Sequence, residues 1–199
     1  MTLAATKGAL AESFGPQSGA ALRIKQAALV ILGIAVLAIC AKIRVPMWPV
    51  PITMGTFAVL SIGAAYGARL GLATVLGYLL IGALGFDVFV GSSAETYGLT
   101  YMAGSTGGYL AGYVLATVAL GALASRGWDR SFGTMAAALL IGNVLIYVPG
   151  LFWLGQLYGW DKPILQWGLT PFLIGDAIKL ALAAVLLPAL WKLVGDARR

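Results

Sequence analysis

Apolar residues run along this chain in long blocks separated by short polar, glycine-rich or proline-rich breaks. The blocks fall at roughly 26–41, 53–66, 70–86, 106–124, 134–154 and 170–191. None shows the strict period-two alternation of a half-buried strand, and most are long enough to cross a hydrocarbon core as helix. The second is short for a span and would need tilt or partial burial. The pattern therefore predicts an all-α integral membrane protein with six transmembrane helices. Residues 1–23, rich in Ala, Gly and Ser with scattered charges, are expected to form a flexible cytoplasmic tail with one short surface helix, and 24–199 the six-helix membrane domain.

The breaks carry information of their own. Pro46, Pro49 and Pro51 forbid a regular helix between Lys42 and Thr53 and hold that loop extended at a membrane face, with Trp48 suited to the interface and Thr53 or Thr56 able to cap the next helix. Gly67-Ala-Arg69 reads as a tight turn. Asp87 to Ser105 is a long loop without Lys or Arg, whose aromatics, Phe89 among them, point to a binding loop rather than disorder. Tyr158, Trp160 and Trp167 mark an aromatic interfacial loop, Pro149 a kink, and Pro188 a bend or end of the last helix. Gly104, Gly108, Gly112 and Ala116 form a small-residue stripe on which another helix can pack closely. Gly121 falls off that stripe and is expected to tolerate a larger side chain better than Gly108 or Gly112.

Composition agrees with the pattern: 60% of the 199 residues are hydrophobic and 10% charged, and the mean hydropathy is +0.92. The net charge of +6 is then better read as topology signal and leaflet contact than as a nucleic-acid footprint. With the N-terminus inside, six spans place Lys7, Arg23, Lys25, Arg69, Arg126, Arg130, Lys192, Arg198 and Arg199 on the cytoplasmic side. Lys42, Arg44 and Lys162 fall outside. This asymmetry predicts a multi-pass cell-membrane protein with both termini cytoplasmic. Histidine is absent and Cys40 is the only cysteine, so intrachain disulfides, Cys/His zinc sites and His-based triads are excluded. No ATP-binding phosphate loop is present, so any ATP-driven work must come from another chain. No cofactor is implied.

The candidate chemistry lies in the last block. Asp176 and Lys179 are three residues apart, which on a helix places both on one face. A charge near the centre of a span costs on the order of 3 kcal/mol, so such residues face the protein interior and mark a site or pathway. Asn143 and Tyr147, one turn apart on the fifth block, are either pocket groups or partners in helix-to-helix hydrogen bonding. Counted from Thr170, Asp176 lies roughly 9 Å below the outer start of its helix. The three aromatic or proline-rich loops converge on the same face. Such an outward-facing pocket suits a small, partly apolar molecule with N–H donors and an acidic group. With no visible nucleophile motif, an enzyme is not indicated.

Three segments, Val45-Pro-Met-Trp-Pro-Val-Pro-Ile-Thr-Met-Gly-Thr-Phe57, Gly104-Ser-Thr-Gly-Gly-Tyr-Leu110 and Pro171-Phe-Leu-Ile-Gly-Asp-Ala-Ile-Lys179, occur in an order and spacing that resembles BioY, the biotin-binding S components of energy-coupling-factor (ECF) transporters. The likeness covers about residues 26–195. It implies six helices, an outward pocket roofed by loops, biotin uptake, and partnership with a transmembrane scaffold subunit and cytoplasmic ABC-type ATPases. It also implies that Asp176 and Lys179 bind the vitamin, with Thr106, Gly107, Gly108, Tyr109 and the proline-rich loop bearing Thr53 shaping the pocket. Gly55 and Ser105 depart from the family pattern, and the small-residue face of the first helix is imperfect. An S component for another small vitamin, or a solitary transporter or channel without ATPases, are the alternative readings.

Overall fold

The computed structural model describes residues 9–90 and 96–197. Its helices are α1 (Gly19–Lys42), α2 (Gly55–Ala83), α3 (Gly98–Met102), α4 (Gly107–Ala124), α5 (Phe132–Tyr158), α6 (Ile164–Gly168) and α7 (Leu173–Ala197). A two-residue ribbon, β1 (Arg44–Val45) paired antiparallel with β2 (Ile52–Thr53), forms most of the α1–α2 connection. Lys7, Arg198 and Arg199 lie outside the described residues.

Among the described residues five helical stretches are long and apolar enough to cross a membrane, and one of them, α2, is folded in two. Gly67 has φ 78° and ψ 172°, far from helical values and in a region only glycine enters readily. The two halves double back on each other. A Cβ on Gly71 would lie 3.4 Å from the Gly63 Cα, whereas eight residues of straight helix span about 12 Å. The break thus yields the six passes that the hydropathy pattern predicts, with a turn at Gly67-Ala-Arg69 as expected. Its first half, 55–66, is too short to span alone and is among the most buried segments, with Ala58, Val59 and Ala64 at 1%, 0% and 0% exposure.

The passes are held by close backbone approach. On α4, Gly108 and Gly112 receive α5: a Cβ would come within 2.3 Å of the Pro149 carbonyl at the first and 2.6 Å of the Ile146 Cα at the second. Pro149 lies inside α5 rather than ending it. It has no N–H for the Leu145 carbonyl, and that oxygen lies over Gly112. Gly121 corrects the sequence expectation. Although off the stripe, it receives the α2 break, and a Cβ there would come within 2.1 Å of the Ala68 nitrogen. α7 packs on α5 and α2 and continues through Pro188 to Ala197.

The connections carry structure of their own. In the N-terminal segment Ala9 and Leu10 are buried and a short 3-10 turn covers Leu10–Ser13, whereas residues 14–21 are exposed. The long outer loop contains α3, and the aromatic loop contains α6. The α4–α5 connector is also tied into the bundle, because the Trp191 indole of α7 donates to the buried Asp129 carboxylate at 2.5 Å and Arg130 stacks 4.7 Å from the Trp191 ring.

Two predictions follow from this packing. Gly112→Leu and Gly121→Leu should each cost about 1–3 kcal/mol by overpacking, read as a lower melting temperature in detergent. Gly133→Leu, with nothing within 4 Å of the added carbon, should melt close to wild type. Burial raises the Asp129 carboxyl above its ordinary range against the opposing Trp191 donor, so its ionisation disfavours the folded state. Its stabilising contribution is present below the unfolded carboxylate range near 4 and is lost as pH rises through the higher folded value. Asp129→Asn, which keeps an acceptor for Trp191, should therefore melt higher than wild type at neutral pH, with the gain shrinking as pH falls towards 4. An unchanged difference across that range would refute the assignment.

Candidate functional site

Because α2 doubles back, its two ends meet on one face of the bundle, together with the C-terminal end of α1, the start of α4 and the start of α7. These ends enclose a cavity whose envelope, mouth included, is about 660 Å³. Its wall is largely aromatic: Tyr78, Phe89, Tyr101, Tyr109, Tyr113, Tyr147 and Phe172. Its polar groups are Thr53, Thr56, Thr106 and Lys179.

Asp176 and Lys179 form an ion pair at 2.8 Å, with side chains 8% and 11% exposed. α7 begins at Leu173, so Asp176 occupies its first turn rather than lying a turn and a half below the helix start. The free N–H groups and dipole of a helix N-terminus favour a carboxylate there. The Lys179 ammonium also donates to Thr56 Oγ1 at 3.2 Å, and Thr56 donates to Asp176 Oδ1 at 3.4 Å, closing a triangle between α7 and α2. Tyr147 of α5 donates its hydroxyl to the other carboxylate oxygen of Asp176. One carboxylate thus gathers donors from three helices. Asp176 stands behind Lys179, Thr56 and Tyr147, which face the cavity.

The remaining sequence candidates separate into two groups. Thr53, Phe89, Thr106 and Tyr109 line the cavity. Thr53 Oγ1 accepts from the Gly55 N–H at 3.0 Å at the start of α2, the Tyr109 hydroxyl donates to the Gly168 carbonyl at 2.8 Å, and Phe89 stacks on Tyr101 with ring centroids 5.0 Å apart. Gly107 and Gly108 do not line it. They are small because Trp153, the Met102 carbonyl and the Pro149 carbonyl approach them. Asn143 does not reach the main cavity either. It borders a smaller one behind the ion pair, also lined by Asp176, Lys179 and Leu180, and its amide oxygen is buried without a protein partner among the described residues.

Sequence reasoning missed Tyr113 and gave Thr56 only a capping role. Tyr113 had a signal, because it follows Tyr109 by four residues and so shares its face of α4, whereas Thr56 is the second residue of α2 and Thr53 lies outside that helix, in β2. Tyr101 lies in the long loop that the sequence marks as a binding loop, but Tyr78 and Phe172 had no such signal. They reach the cavity only because the chain folds back at Gly67 and because the 3-10 turn Thr170–Phe172 precedes α7.

The cavity is roofed by loops fastened to one another. Trp48 of the proline-rich loop meets Trp167 and Tyr158 edge-on at 4.9 and 5.7 Å, and Ser105 donates to the Pro49 carbonyl at 2.7 Å. Lys42 donates to Asp87 at 2.5 Å and to the Phe89 carbonyl at 2.7 Å, while Arg44 donates to the Val90 carbonyl at 2.5 Å. These cations pin the strand of loop that inserts Phe89 under Gly82, where a Cβ would lie only 2.1 Å from the ring.

The fold and sequence have known relatives. The chain resembles in fold the crystal structure of the S-component for biotin from an ECF-type ABC transporter, with a TM-score of 0.74 and 23% identity over 88% of this chain and 95% of that one. It is 34% identical to a probable biotin transporter BioY from Pyrococcus horikoshii, covering 83% of this chain and 95% of that protein. It is 33% identical to the biotin transporter BioY of Thermotoga maritima, covering 80% and 91%. The BioY family pattern matches residues 13–196. With a six-pass bundle, a loop-roofed cavity and this extent of match, the chain belongs to the BioY family.

Proposed function

We propose that this protein is the membrane subunit that captures biotin for uptake, working with an ECF scaffold subunit and ABC-type ATPases. The observation that carries this reading is the cavity itself: an aromatic enclosure with one ammonium, one threonine hydroxyl and one tyrosine hydroxyl grouped around a buried carboxylate. Biotin presents two ureido N–H donors, a ureido carbonyl, an apolar bicyclic body and a carboxylate. Lys179 supplies a charged donor for an oxygen of the ligand, and Asp176, behind it, supplies the negative charge that keeps the ammonium and the Thr56 and Tyr147 hydroxyls in place. The aromatic walls take the bicyclic body. The names of the relatives support the same ligand and partners. The sequence has no phosphate loop, which assigns ATP hydrolysis to separate chains. The protein performs no chemistry on its ligand.

The start of α1 with Lys25, the α2 break with Arg69 and the α4–α5 connector with Arg126 and Arg130 lie at the ends of the passes away from the cavity, whereas Lys42, Arg44 and Lys162 lie at the cavity end. By the positive-inside rule the cavity opens outward and the termini are cytoplasmic.

Loss of a charge-assisted hydrogen bond in a dry pocket costs about 1.5–3 kcal/mol, a tenfold to hundredfold change in affinity. Asp176→Asn and Lys179→Met should each weaken biotin binding by at least that factor while remaining monodisperse, and the exposed Lys162→Met should not. Equilibrium binding of labelled biotin to purified variants, with thiamine and riboflavin as competitors, checks this. Wild-type affinity in both helix variants would make the pair purely structural, and displacement by either competitor at comparable concentration would assign another vitamin.

Orientation is checked separately, with single cysteines at Asp161 and Arg126 in a Cys40→Ala background. An impermeant thiol reagent should label Asp161→Cys in intact cells and Arg126→Cys only after permeabilisation. The reverse pattern would invert the topology.

A further inference from the structure

A second, larger groove lies on the face opposite the cavity, where α1 meets the Gly67 break. Its envelope, open side included, is about 1530 Å³. Its rim carries Lys25, Gln26, Tyr66 and Arg69, and apolar side chains such as Leu29 and Leu70 line it below. α1 packs chiefly against α2, so the groove sits at the edge of the bundle, where bilayer begins.

The rim is rich in unspent donors. The Arg69 guanidinium, the Gln26 amide and the Tyr66 hydroxyl make no hydrogen bond to any described residue, and Arg69 is exposed. Lys25 donates to the Ala11 and Phe14 carbonyls at 3.2 and 2.6 Å. Those neutral acceptors fix its position and leave its charge uncompensated, and no carboxylate pairs with Lys25 or Arg69 among the described residues. Glu12 also borders the groove, its carboxylate accepting the Ala9 N–H of its own turn at 3.3 Å, so the groove carries two cations against one carboxylate.

We propose that this groove binds an anionic phospholipid of the leaflet on that face. Arg69 and Lys25 hold the phosphate, Tyr66 and Gln26 donate to headgroup or glycerol oxygens, and an acyl chain lies over Leu29 and Leu70. The chemistry required is a phosphate with an attached apolar chain. A soluble anion would use the rim and leave the apolar floor unfilled, and a zwitterionic lipid would bring its own cation against Arg69 and Lys25. The site is separate from the ligand cavity and does not depend on which vitamin that cavity takes.

The test uses the full chain in detergent, titrated with phosphatidylglycerol, with phosphatidylcholine of the same acyl chains, or with inorganic phosphate. Thermal melting and native mass spectrometry are the readouts. Phosphatidylglycerol should raise the melting temperature by several degrees and remain bound as single adducts, while the other two do neither. Arg69→Gln, which removes no hydrogen bond or ion pair to a described residue, should raise the half-saturating phosphatidylglycerol concentration about tenfold or more; Lys162→Met on the opposite face should leave it unchanged. Equal stabilisation by phosphatidylcholine would show generic lipid solvation, and equal stabilisation by phosphate a simple anion site. Either result, or an unaltered response in Arg69→Gln, overturns the proposal.

Discussion

The structure depends on one buried ion pair and the helices it obliges to stay together. In a medium of low dielectric constant, Asp176 and Lys179 are tolerated only while each keeps its partners, since removing one leaves the other as an uncompensated charge. The partners come from elsewhere: Thr56 from the first turn of α2 and Tyr147 from the middle of α5. Pairing two charges one turn apart on α7 therefore sets where α2 and α5 stand beside it. It also places an oriented ammonium on the wall of the cavity. Stability and recognition draw on the same bonds at this point.

The polar cluster can form only because α2 is a hairpin. Were 55–83 a straight helix, Thr56 and Tyr78 would lie far apart along its axis. Folding back at Gly67 brings the two ends to one face and leaves the break to be packed over. Ala9 and Gly121 perform that packing, the first from the N-terminal segment and the second from α4. The glycines of α4 thus serve two neighbours. Gly108 and Gly112 admit α5, and Gly121 admits the α2 break, so α4 is the post on which both halves of the bundle meet.

The two faces of the bundle differ in what they do with charge. On the cavity face Lys42 and Arg44 are consumed in fastening the loop that carries Phe89, and aromatic edges join the proline-rich loop to the α5–α6 connection. A roof held by several modest contacts of this kind encloses the ligand without a single strong bond that would have to break for entry. On the other face Arg69 and Lys25 stay uncompensated beside an apolar groove, where a charged leaflet can reach them.

The amino-acid sequence by itself determined the membrane class, the passes, the Gly67 turn and the acid–base pair of the last helix. Each is a local property: uninterrupted apolar length, a glycine-plus-charge interruption, and a three-residue spacing of opposite charges that no lipid-facing helix would carry. Tertiary structure alone decided the rest. Gly121 looked unimportant because its neighbour is the α2 break, more than fifty positions away. Asn143 and Tyr147 lie on one helix face by spacing, yet only Tyr147 reaches the cavity while Asn143 sits behind the pair. Lys42 and Arg44 read in the sequence as outer-side charges, and it is the folded loop beneath them that gives them partners. Gly107 and Gly108 belong to the motif but serve helix contact. In every case the deciding quantity is a distance between segments remote in sequence, and such distances are set by packing a whole bundle rather than by any local pattern.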